Sequence, residues 1–539
     1  MFKGAVKRGC ARMCGIAVAI DWDGAEKIVP RLLAAISYRG DITDAVVSPY
    51  PRTALGTRRL GIVDISHGVQ PQASFDGKLL VSFNGEIYNH HELREQLKAK
   101  GIPFRTESDT EVLASALQVW GIKALSMLNG MFAFVAFDVS NREFLAARDP
   151  FGVKPLYVVQ SDAGFLFCSE IKPLLSATEK GDVHLVPPGY VLTRKICAGY
   201  RSAVGGAFAG QSEGDVRELD RLLADAVRIR LPHDLPVATK LSGGIDSTLV
   251  AHYARMHRPD SPGYFLGTKD APDYRYAEDY ARLSGIELRV VPFEPESPET
   301  LAHIGEVVTV SESFEPAVIR GAICSYILSE AIHHDGYRVA LCGEGADELF
   351  AGYLPIEWAF AAGQDEGRSV RDQCLAQMHS VVLQRVDRCS MRFMLETREP
   401  FLDPRVAAYA LDLRGDALVA TSNGKPRGKK PLRALYDLYP DQLPASIRDR
   451  TKMLFDEGAG LDLKRPGWTH LFEETISDRD FRDGCHRYEA YGIRTKEELF
   501  YLRTLAASMD ISRVPHLRGR IYLNLPLGVE TAMRDSGAI

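Results

Sequence analysis

Apolar positions in the first 200 residues come in short runs that Gly- and Asn-containing turns separate. Alternating or apolar runs of strand length occur at residues 13–20, 53–63, 79–84, 132–138, 143–147 and 164–168. Such runs are typical of β-strands, whereas the longer segments at 91–99 and 109–120 predict helices. Residues 14–200 are therefore expected to form a layered, largely β domain of the α+β class.

The pattern changes at residues 201–214, a segment rich in small residues that is expected to be a linker. An amphipathic helix is predicted next, because Leu219, Leu223 and Val227 follow helical spacing. Strands and helices then alternate as far as residue 342, and the chain beyond about residue 357 is mostly helical in pattern. Residues 215–539 are therefore expected to form an α/β domain with a parallel sheet. Its last part, 461–539, is expected to be helical covering.

Composition limits the classes of partner. A chain of 539 residues is expected to hold two or three domains. Its net charge of -6 gives no reason to expect nucleic acid or an anionic membrane as a partner. No apolar run approaches the roughly 18 residues that span a bilayer. Nine cysteines without a CxxC pair support neither zinc nor a disulfide framework, so a cytoplasmic location is expected.

Residues 1–13 are expected to be an extension or leader. The first twelve residues include Lys3, Lys7, Arg8 and Arg12 and no acid, and no apolar region follows them. Three interpretations are open: a processed leader, a short targeting segment, or a start codon placed too early. The last is favoured, because a chain that begins at Met13 would expose Cys14 once that methionine is removed.

A glycine-rich loop follows the apolar segment 235–241 and precedes a predicted helix. Its sequence is Leu241-Ser-Gly-Gly-Ile-Asp-Ser247. Two glycines let the backbone approach a ligand, and a helix N-terminus favours an anion such as the pyrophosphate of ATP. We expect ATP to contact Leu241, Ser242, Gly243, Gly244, Asp246 and Ser247, with Asp246 holding Mg²⁺ between phosphate oxygens. A plain surface turn is the alternative, and the Walker spacing is absent.

Two charged patches accompany this loop. Glu344, Asp347 and Glu348 follow a predicted strand, at the edge of a parallel sheet where ligands bind. The alternative is an ordinary acidic helix start, with Asp347 as its cap. The second patch is basic and contains Lys429, Lys430, Arg433, Arg450 and Lys452. It can be a solvated face, or Lys452 can neutralise the charge that develops on a departing pyrophosphate.

A different chemistry is indicated at Cys14. With Met13 removed, its α-amine, of pKa about 8, can act as base for its thiol, which can attack a carboxamide. Asn84 and Gly85 offer two oxyanion donors and are expected in a tight turn after a strand. Arg59 can bind the carboxylate of an amino acid, and Glu86 and Asp109 can bind its ammonium group. The alternatives are a buried apolar cysteine and an ordinary type I′ hairpin turn.

Together these motifs resemble the glutamine-hydrolysing asparagine synthetase family, which joins a class II glutamine amidotransferase domain to a PP-loop ATP pyrophosphatase domain. The matching segments are Met13-Cys-Gly-Ile16, Arg59-Leu-Gly-Ile-Val-Asp64, Phe83-Asn-Gly-Glu-Ile-Tyr-Asn89, Ser108-Asp109, Asn129-Gly-Met-Phe-Ala-Phe134, Arg148-Asp-Pro-Phe-Gly-Val-Lys-Pro-Leu-Tyr157, the 241–247 loop, Gly343-Glu-Gly-Ala-Asp-Glu-Leu-Phe-Ala-Gly-Tyr353, Arg398-Glu-Pro-Phe-Leu-Asp403 and Arg450-Thr-Lys452. They occur in family order over residues 13–460.

The resemblance implies an Ntn-hydrolase-like αββα sandwich, then a parallel-sheet PP-loop domain (adenine nucleotide α-hydrolase-like) with a helical C-terminal part. Cys14 would hydrolyse glutamine, with Asn84 and Gly85 as oxyanion donors and Arg59, Asn84, Glu86 and Asp109 as glutamine-binding residues. Ammonia would pass through an internal tunnel to aspartate that ATP and Mg²⁺ have activated as an adenylate. The resemblance assigns Gly343 and Glu344 to ATP, Glu344, Asp347 and Lys452 to aspartate and the intermediate, Glu344 and Lys452 to catalysis, and Asp246 and Asp347 to the metal.

Four departures from the family pattern leave the acid substrate open. Tyr38-Arg-Gly-Asp-Ile-Thr-Asp44 lacks the usual His and Pro, Glu399 replaces an apolar residue, Cys342 replaces serine, and 285–292 lacks a common histidine. One alternative is therefore an amide or lactam synthetase that acts on another carboxylic acid in a specialised pathway. Another is a non-catalytic glutamine-sensing protein, if residues 1–13 are retained. The sequence does not determine the oligomeric state, and a homodimer is compatible with it.

Overall fold

The computed structural model describes residues 14–40, 42–59, 68–162, 164–201, 210–422, 424–461, 467–518 and 523–536. Three sequence predictions fall outside these residues: the extension 1–13, the Leu60-to-Asp64 part of the Arg59 motif, and positions 202–209 of the linker. The boundaries 14–200, 201–214 and 215–539 therefore stay predictions, although a strand ends at Gly199 and a helix begins at Val216.

The first unit consists of thirteen described strands and five helices. The strands are β1 (Gly15–Ile20), β2 (Ile42–Thr43), β3 (Val47–Tyr50), β4 (Thr53–Arg59), β5 (Gln72–Ala73), β6 (Leu79–Ile87), β7 (Gly130–Asp138), β8 (Phe144–Arg148), β9 (Tyr157–Ser161), β10 (Gly164–Cys168), β11 (Val183–Leu185), β12 (Tyr190–Leu192) and β13 (Cys197–Gly199). The helices are α1 (Ala25–Ala35), α2 (His90–Lys98), α3 (Asp109–Trp120), α4 (Ala124–Met127) and α5 (Ile171–Ala177).

These strands form two antiparallel sheets that stack face to face. One has the order β11-β9-β10-β1-β4-β2, with β3 also paired to β4, and the other has the order β13-β12-β8-β7-β6-β5. Strand alternation explains the layers. In β1, Ile16 and Val18 pack between the sheets, whereas Ala17 and Ala19 belong to the cluster that contains residues of α1. Helices α2 and α3 cover the second sheet, so the predicted αββα sandwich is confirmed.

The second unit contains the remaining described elements. Its strands are β14 (Val237–Lys240), β15 (Gly263–Leu266), β16 (Leu288–Val291), β17 (Val339–Leu341), β18 (Glu396–Arg398), β19 (Ala420–Ser422) and β20 (Lys425–Arg427). Its helices are α6 (Val216–Arg228), α7 (Ile245–His257), α8 (Tyr274–Ser284), α9 (Pro298–Ser311), α10 (Pro316–His334), α11 (Ala346–Leu349), α12 (Leu354–Ala362), α13 (Gln364–Gln377), α14 (Val382–Met391), α15 (Pro404–Asp412), α16 (Gly415–Leu418), α17 (Lys430–Tyr436), α18 (Ala445–Arg448), α19 (Phe455–Ala459), α20 (Trp468–Thr475), α21 (Asp478–Arg487), α22 (Lys496–Ser508) and α23 (Leu527–Asp535).

A parallel sheet of order β16-β15-β14-β17-β18 forms the centre of this unit. Helices lie on both of its faces, because Val237 and Leu341 pack with residues of α7 while Ala238 and Ala340 pack with residues of α10. The predicted α/β class is therefore confirmed. Since β14 and β17 are neighbours, the loops that leave their carboxyl ends lie side by side.

The C-terminal helices cover more than the second unit. Arg513 donates to the backbone oxygen of Thr178 at 2.6 Å, and the His516 ring stacks on Tyr157 with centroids 5.8 Å apart. Both partners belong to the first unit, so the region expected to cover the synthetase core contacts the first unit as well. In the described part of the chain, no helix is both long enough and apolar enough to cross a bilayer.

Buried ion pairs also cross the boundary between the units. Arg39 pairs through Nη1 with Glu170 at 3.1 Å and through Nη2 with Asp387, on α14, at 2.9 Å. Lys154 reaches the same Asp387 carboxylate at 3.5 Å. Because buried charges are costly unless paired, these contacts fix the relative position of the two units.

Candidate active sites

A small cavity in the first unit collects most residues predicted to bind glutamine. Five of them line it: Cys14, Arg59, Gly85, Glu86 and Asp109. Cys14 directly precedes β1, and its backbone oxygen accepts a hydrogen bond from Arg39 Nε at 3.4 Å. Further lining residues are Gly68, Gln70, Phe83, Ser108, Thr110 and Glu396.

Asn84 and Gly85 lie inside a strand, so the predicted tight turn, type I′ or otherwise, is wrong. Both belong to β6, where they pair with Ala133 and Phe132 of β7. Gly85 has φ +152°, and a Cβ at this position would lie 2.0 Å from the backbone oxygen of Met131. Only glycine fits this geometry. The strand continues because β7 supplies a pairing partner along its whole length.

The side-chain amide of Asn84 is a buried donor next to this glycine. Asn84 is 1% exposed, and its Nδ2 makes no hydrogen bond to any described residue. A buried donor without a partner is costly, and such groups are common where a ligand supplies the acceptor. Gly85 lines the Cys14 cavity and Asn84 does not, so the oxyanion role of the pair stays a prediction.

Arg59 is held in place by a residue to which the sequence assigned no role. Its Nε lies 3.0 Å from Asp44 Oδ2, which also accepts from the backbone N–H of Gln70 at 2.9 Å. Asp44 ends the segment 38–44 that departs from the family pattern. This contact holds the guanidinium of a residue that lines the cavity.

Three carboxyl groups border the cavity: Glu86, Asp109 and Glu396. Burial raises the pKa of Asp109 to about 6, against the hydrogen bond that its Oδ2 accepts from the backbone N–H of Ile87 at 3.0 Å. Burial also raises the pKa of Glu86 well above its ordinary value; Arg398, at 3.2 Å, opposes this shift, and Asp109 and Glu396 add to it. The cavity therefore has a deficit of positive charge.

A larger cavity, of about 340 Å³, lies in the second unit at the carboxyl ends of β14 and β17. Nine of the ten residues predicted for ATP, metal and intermediate line it: Leu241, Ser242, Gly244, Asp246, Ser247, Gly343, Glu344, Asp347 and Lys452. The tenth, Gly243, does not line it. Its φ is +72°, and a Cβ there would lie 2.7 Å from the backbone nitrogen of Ala277. Gly243 therefore allows the loop to pack closely against α8.

Hydroxyl contacts brace the loop ahead of α7. The Ser242 and Ser247 hydroxyl oxygens lie 3.0 Å apart, and the backbone N–H of Ser242 donates to Ser247 Oγ at 3.2 Å. The loop delivers the N-terminus of a 13-residue helix to the cavity. Unsatisfied N–H groups and the helix dipole make this end favourable for phosphate.

Lys429 joins the two aspartates that the sequence assigned to the metal. Its Nζ lies 2.5 Å from Asp246 Oδ2 and 2.6 Å from Asp347 Oδ1, and Lys452 Nζ lies 2.9 Å from Asp347 Oδ2. Burial alone would raise the pKa of Asp347, but Lys429 and Lys452 together lower it to about 2. The sequence had placed Lys429 only in a basic patch. Its tertiary position between two acids was not visible there.

The donor set suits a magnesium ion that is shared with phosphate. Asp246 Oδ1 is buried and makes no hydrogen bond to a described residue. Among the described residues, no group of three or more His, Cys, Asp or Glu side chains is arranged to hold a metal. Mg²⁺ commonly uses one or two carboxylates and takes its remaining ligands from water and substrate phosphates. Asp246 and Asp347 fit that pattern.

Most but not all residues of the two charged patches line the cavity. Glu344 faces the cavity and accepts from Arg385 Nη2 at 3.2 Å, a partner that the sequence did not indicate. Glu348 does not line the cavity; burial raises its pKa to about 7, and Tyr353 donates to it at 2.9 Å. Lys430 is also absent from the lining and donates to the backbone oxygen of Asp416 at 2.7 Å.

Part of the cavity lining is aliphatic. These residues come from α10 and from α14 with the residue before it: Ala317, Leu328, Val381, Val382 and Val386. Arg320 and Arg385, on the same two helices, line the cavity as well. These residues are spread over two helices, so no sequence motif indicated that they would line one cavity.

The family models match both units. A glutamine amidotransferase domain model matches residues 13–186, and an asparagine synthase model matches residues 218–372 and 361–510. The order of the two matches is the order of the two cavities along the chain.

Curated relatives resemble the chain over most of its length. A probable glutamine-hydrolysing asparagine synthetase from Dictyostelium discoideum is 30% identical, over 92% of this chain and 93% of its own. Glutamine-hydrolysing asparagine synthetase 3 from Arabidopsis thaliana is 30% identical, over 85% of this chain and 82% of its own. Glutamine-hydrolysing asparagine synthetase 2 from rice (Oryza sativa subsp. japonica) is 30% identical, over 85% and 80%. The chain therefore belongs to the glutamine-hydrolysing asparagine synthetase family, with a glutamine amidotransferase domain followed by an asparagine synthase domain.

Proposed function

We propose that this protein is an ATP-dependent carbon–nitrogen ligase that makes asparagine with glutamine as nitrogen donor. Glutamine, aspartate and ATP would yield asparagine, glutamate, AMP and pyrophosphate. The observation that supports this most strongly is the pairing of two cavities in one chain. One is bordered by the Cys14 thiol and the other by the 241–247 loop and Lys452.

In the first cavity, the Cys14 thiolate adds to the carboxamide carbon of glutamine. Asn84 Nδ2 and the backbone N–H of Gly85 donate to the oxyanion, Arg59 binds the substrate carboxylate, and Glu86 and Asp109 bind its ammonium group. Ammonia leaves, and water hydrolyses the thioester to glutamate. The α-amine of Cys14 is the base in this scheme. This step requires that Cys14 be the first residue of the working chain, which the mass of the intact protein tests directly.

In the second cavity, the 241–247 loop holds the phosphates of ATP. The side-chain carboxylate of aspartate attacks the α-phosphorus, and pyrophosphate departs with its charge stabilised by Lys452. Asp246 and Asp347 would hold a Mg²⁺ ion, which would supply positive charge to phosphate oxygens. Glu344 lies beside the reacting carboxyl. Ammonia then attacks the acyl carbon, AMP leaves, and the amide loses a proton. An enclosed path between the cavities would keep ammonia unprotonated.

The test measures AMP release by the purified enzyme with ATP, Mg²⁺ and amide-¹⁵N glutamine. AMP and ¹⁵N-asparagine should form only when aspartate is present. The Cys14→Ala variant is the matched control: it should lose the glutamine-driven product and keep AMP formation with ammonium chloride and aspartate. An unchanged glutamine-driven rate in that variant would overturn the proposal.

A second candidate function uses the same two sites on another carboxylic acid. The aliphatic part of the cavity lining favours it, because aspartate has little apolar surface to place against such residues. A panel of ATP-dependent AMP assays with aspartate, glutamate and longer dicarboxylic acids distinguishes the two. AMP release with another acid and none with aspartate would select this second function.

A further inference from the structure

We infer that Glu396, a residue of the second unit, binds the α-ammonium group of glutamine in the first unit. The inference rests on the proposed glutamine hydrolysis at Cys14. It adds a specificity residue that neither the motifs nor the family models assign, and it makes the glutamine cavity a composite of both units.

The position of Glu396 brings it to this cavity. It is the first residue of β18, the edge strand of the parallel sheet in the second unit. It is 4% exposed, and it lines the same cavity as Cys14, Glu86 and Asp109. Of the described residues around that cavity, it alone comes from beyond the linker.

The charges around the cavity call for a cation. Arg398 bridges two of the three acids, with Nε 2.7 Å from Glu396 and Nη2 3.2 Å from Glu86. Its remaining nitrogen, Nη1, donates to the backbone oxygen of Arg230 at 2.7 Å, so the guanidinium cannot move toward Asp109 without breaking that hydrogen bond. Arg59 pairs with Asp44. One more positive group, of the size of an ammonium, would reduce the excess of negative charge among the three acids.

The raised pKa values of Asp109 and Glu86 agree with this picture. Glu396 contributes to both, as a neighbouring negative charge. A bound ammonium ion would reverse that effect, because an opposite charge nearby favours the ionised carboxylate. The three carboxylates are therefore more favourable, in their ionised form, when an ammonium group occupies the cavity than when it is empty.

The connection to the second unit has a structural consequence. Leu341 of β17 pairs with Arg398 of β18, and the backbone N–H of Cys342 donates to the Arg398 oxygen at 3.1 Å. Cys342 and Gly343 line the nucleotide cavity. The residue that recognises glutamine and the loop that approaches ATP thus belong to one pair of strands.

The experiment compares two substrates of the full-length enzyme: glutamine and 4-carbamoylbutanoate, which is the same molecule without the α-ammonium group. Glutamate release and glutarate release are measured without ATP. Glu396→Gln keeps an oxygen that can accept from Arg398 but removes the charge. We expect its kcat/KM for glutamine to fall about tenfold or more through KM, since a charged hydrogen bond is lost. Its kcat/KM for 4-carbamoylbutanoate should stay within about twofold.

Two further variants make the comparison specific. Glu399→Gln is the matched control: Glu399 is also buried, three positions along the chain, does not line this cavity, and has a pKa that burial raises to about 8. It should leave the preference for glutamine unchanged. Glu396→Asp keeps the charge and should retain most of that preference.

An equal loss with both substrates in Glu396→Gln would mean that Glu396 only supports the fold, and would overturn the inference. An unchanged KM for glutamine would overturn it as well. Failure of the unmodified enzyme to hydrolyse glutamine would instead count against the proposed function, so the two failures are distinguishable.

Discussion

At the scale of single residues, the pKa values of two buried aspartates are shifted in opposite directions. Burial raises the pKa of Asp109 to about 6, whereas Lys429 and Lys452 outweigh burial and lower the pKa of Asp347 to about 2. The difference comes from the nearby cations, not from the depth of burial. Asp347 already has Lys429 and Lys452 beside it, whereas a cation bound beside Asp109 would lower the pKa of that carboxyl.

The pKa of Asp109 predicts how glutamine affinity depends on pH. The carboxyl is ionised above about pH 6 and neutral below it, and only the ionised form attracts ammonium. The Kd for glutamine should therefore rise as the pH falls from about 7 to about 5, whereas an ordinary aspartate would stay ionised over this range. Calorimetric titration of glutamine into the Cys14→Ala variant measures binding without turnover.

The control for this titration is Cys14→Ala with Asp109→Asn added. It should bind more weakly at every pH and show a shallower dependence. A Kd for glutamine that stays constant down to about pH 5 in the first variant would contradict the prediction.

Adjacent lysines provide a second test at this scale. Lys429→Met removes the cation between Asp246 and Asp347 and leaves two acids facing each other. ATP-dependent AMP formation should fall about 100-fold, the usual scale for losing one electrostatic partner in a site. Lys430→Met changes the same residue type one position later, where the ammonium group donates to the Asp416 backbone oxygen and the residue does not line the cavity. It should stay within about twofold of the unmodified enzyme.

Glutamine hydrolysis without ATP provides the internal reference for both lysine variants. It should continue in Lys429→Met, because Lys429 lies in the second cavity and is absent from the first. Equal losses of AMP formation in the two variants would contradict the assigned position of Lys429.

At the scale of elements, β6 shows how a pairing partner overrides a local turn signal. Asn-Gly is a strong hairpin signal, yet the chain stays extended from Leu79 to Ile87 because β7 pairs with every residue of that stretch. The same continuity places Gly85 in the lining of the cavity that Cys14 also lines.

The fit of Gly85 in β6 predicts a large effect of a small change. Gly85→Ala combines a positive φ with a contact 2.0 Å from the Met131 oxygen, so the free energy of unfolding should fall by about 3 kcal/mol or more. Gly77→Ala is the matched control, since Gly77 has φ +75° but no atom lies within 4 Å of the position that its Cβ would occupy. That variant should lose about 1 kcal/mol. Denaturant unfolding measures both, and equal losses would argue against the close contact.

At the scale of the whole molecule, the two units behave as one structure. Arg39 in the first unit pairs with Asp387 in the second, Glu396 of the second unit lines the cavity that contains Cys14, and Arg513 near the C-terminus donates to Thr178. Polar groups from one unit thus complete buried sites in the other. Glutamine hydrolysis is therefore expected to depend on the integrity of the synthetase unit.

Arg39→Met tests this dependence. It leaves Glu170 and Asp387 without their buried cation, and the free energy of unfolding should fall by about 3–5 kcal/mol. The ratio of glutamine-driven to ammonia-driven product should fall with it. Arg228→Met is the control, because its ion pair with Asp225 is solvent-exposed and should contribute about 0.5 kcal/mol or less. A stability close to that of the control would contradict a structural role of Arg39 at the boundary.

The sequence by itself determined the features that depend on residues close together in the chain. The strand, loop and helix around 241–247, the thiol at residue 14 and the two fold classes follow from local pattern, because backbone conformation and phosphate binding depend on contiguous residues. Only the tertiary structure decided which distant charges meet: Asp44 with Arg59, Lys429 between two aspartates, and Glu396 in the cavity that Cys14 lines. Those pairings arise from packing, where the burial of apolar faces sets the positions of residues that lie far apart in the chain.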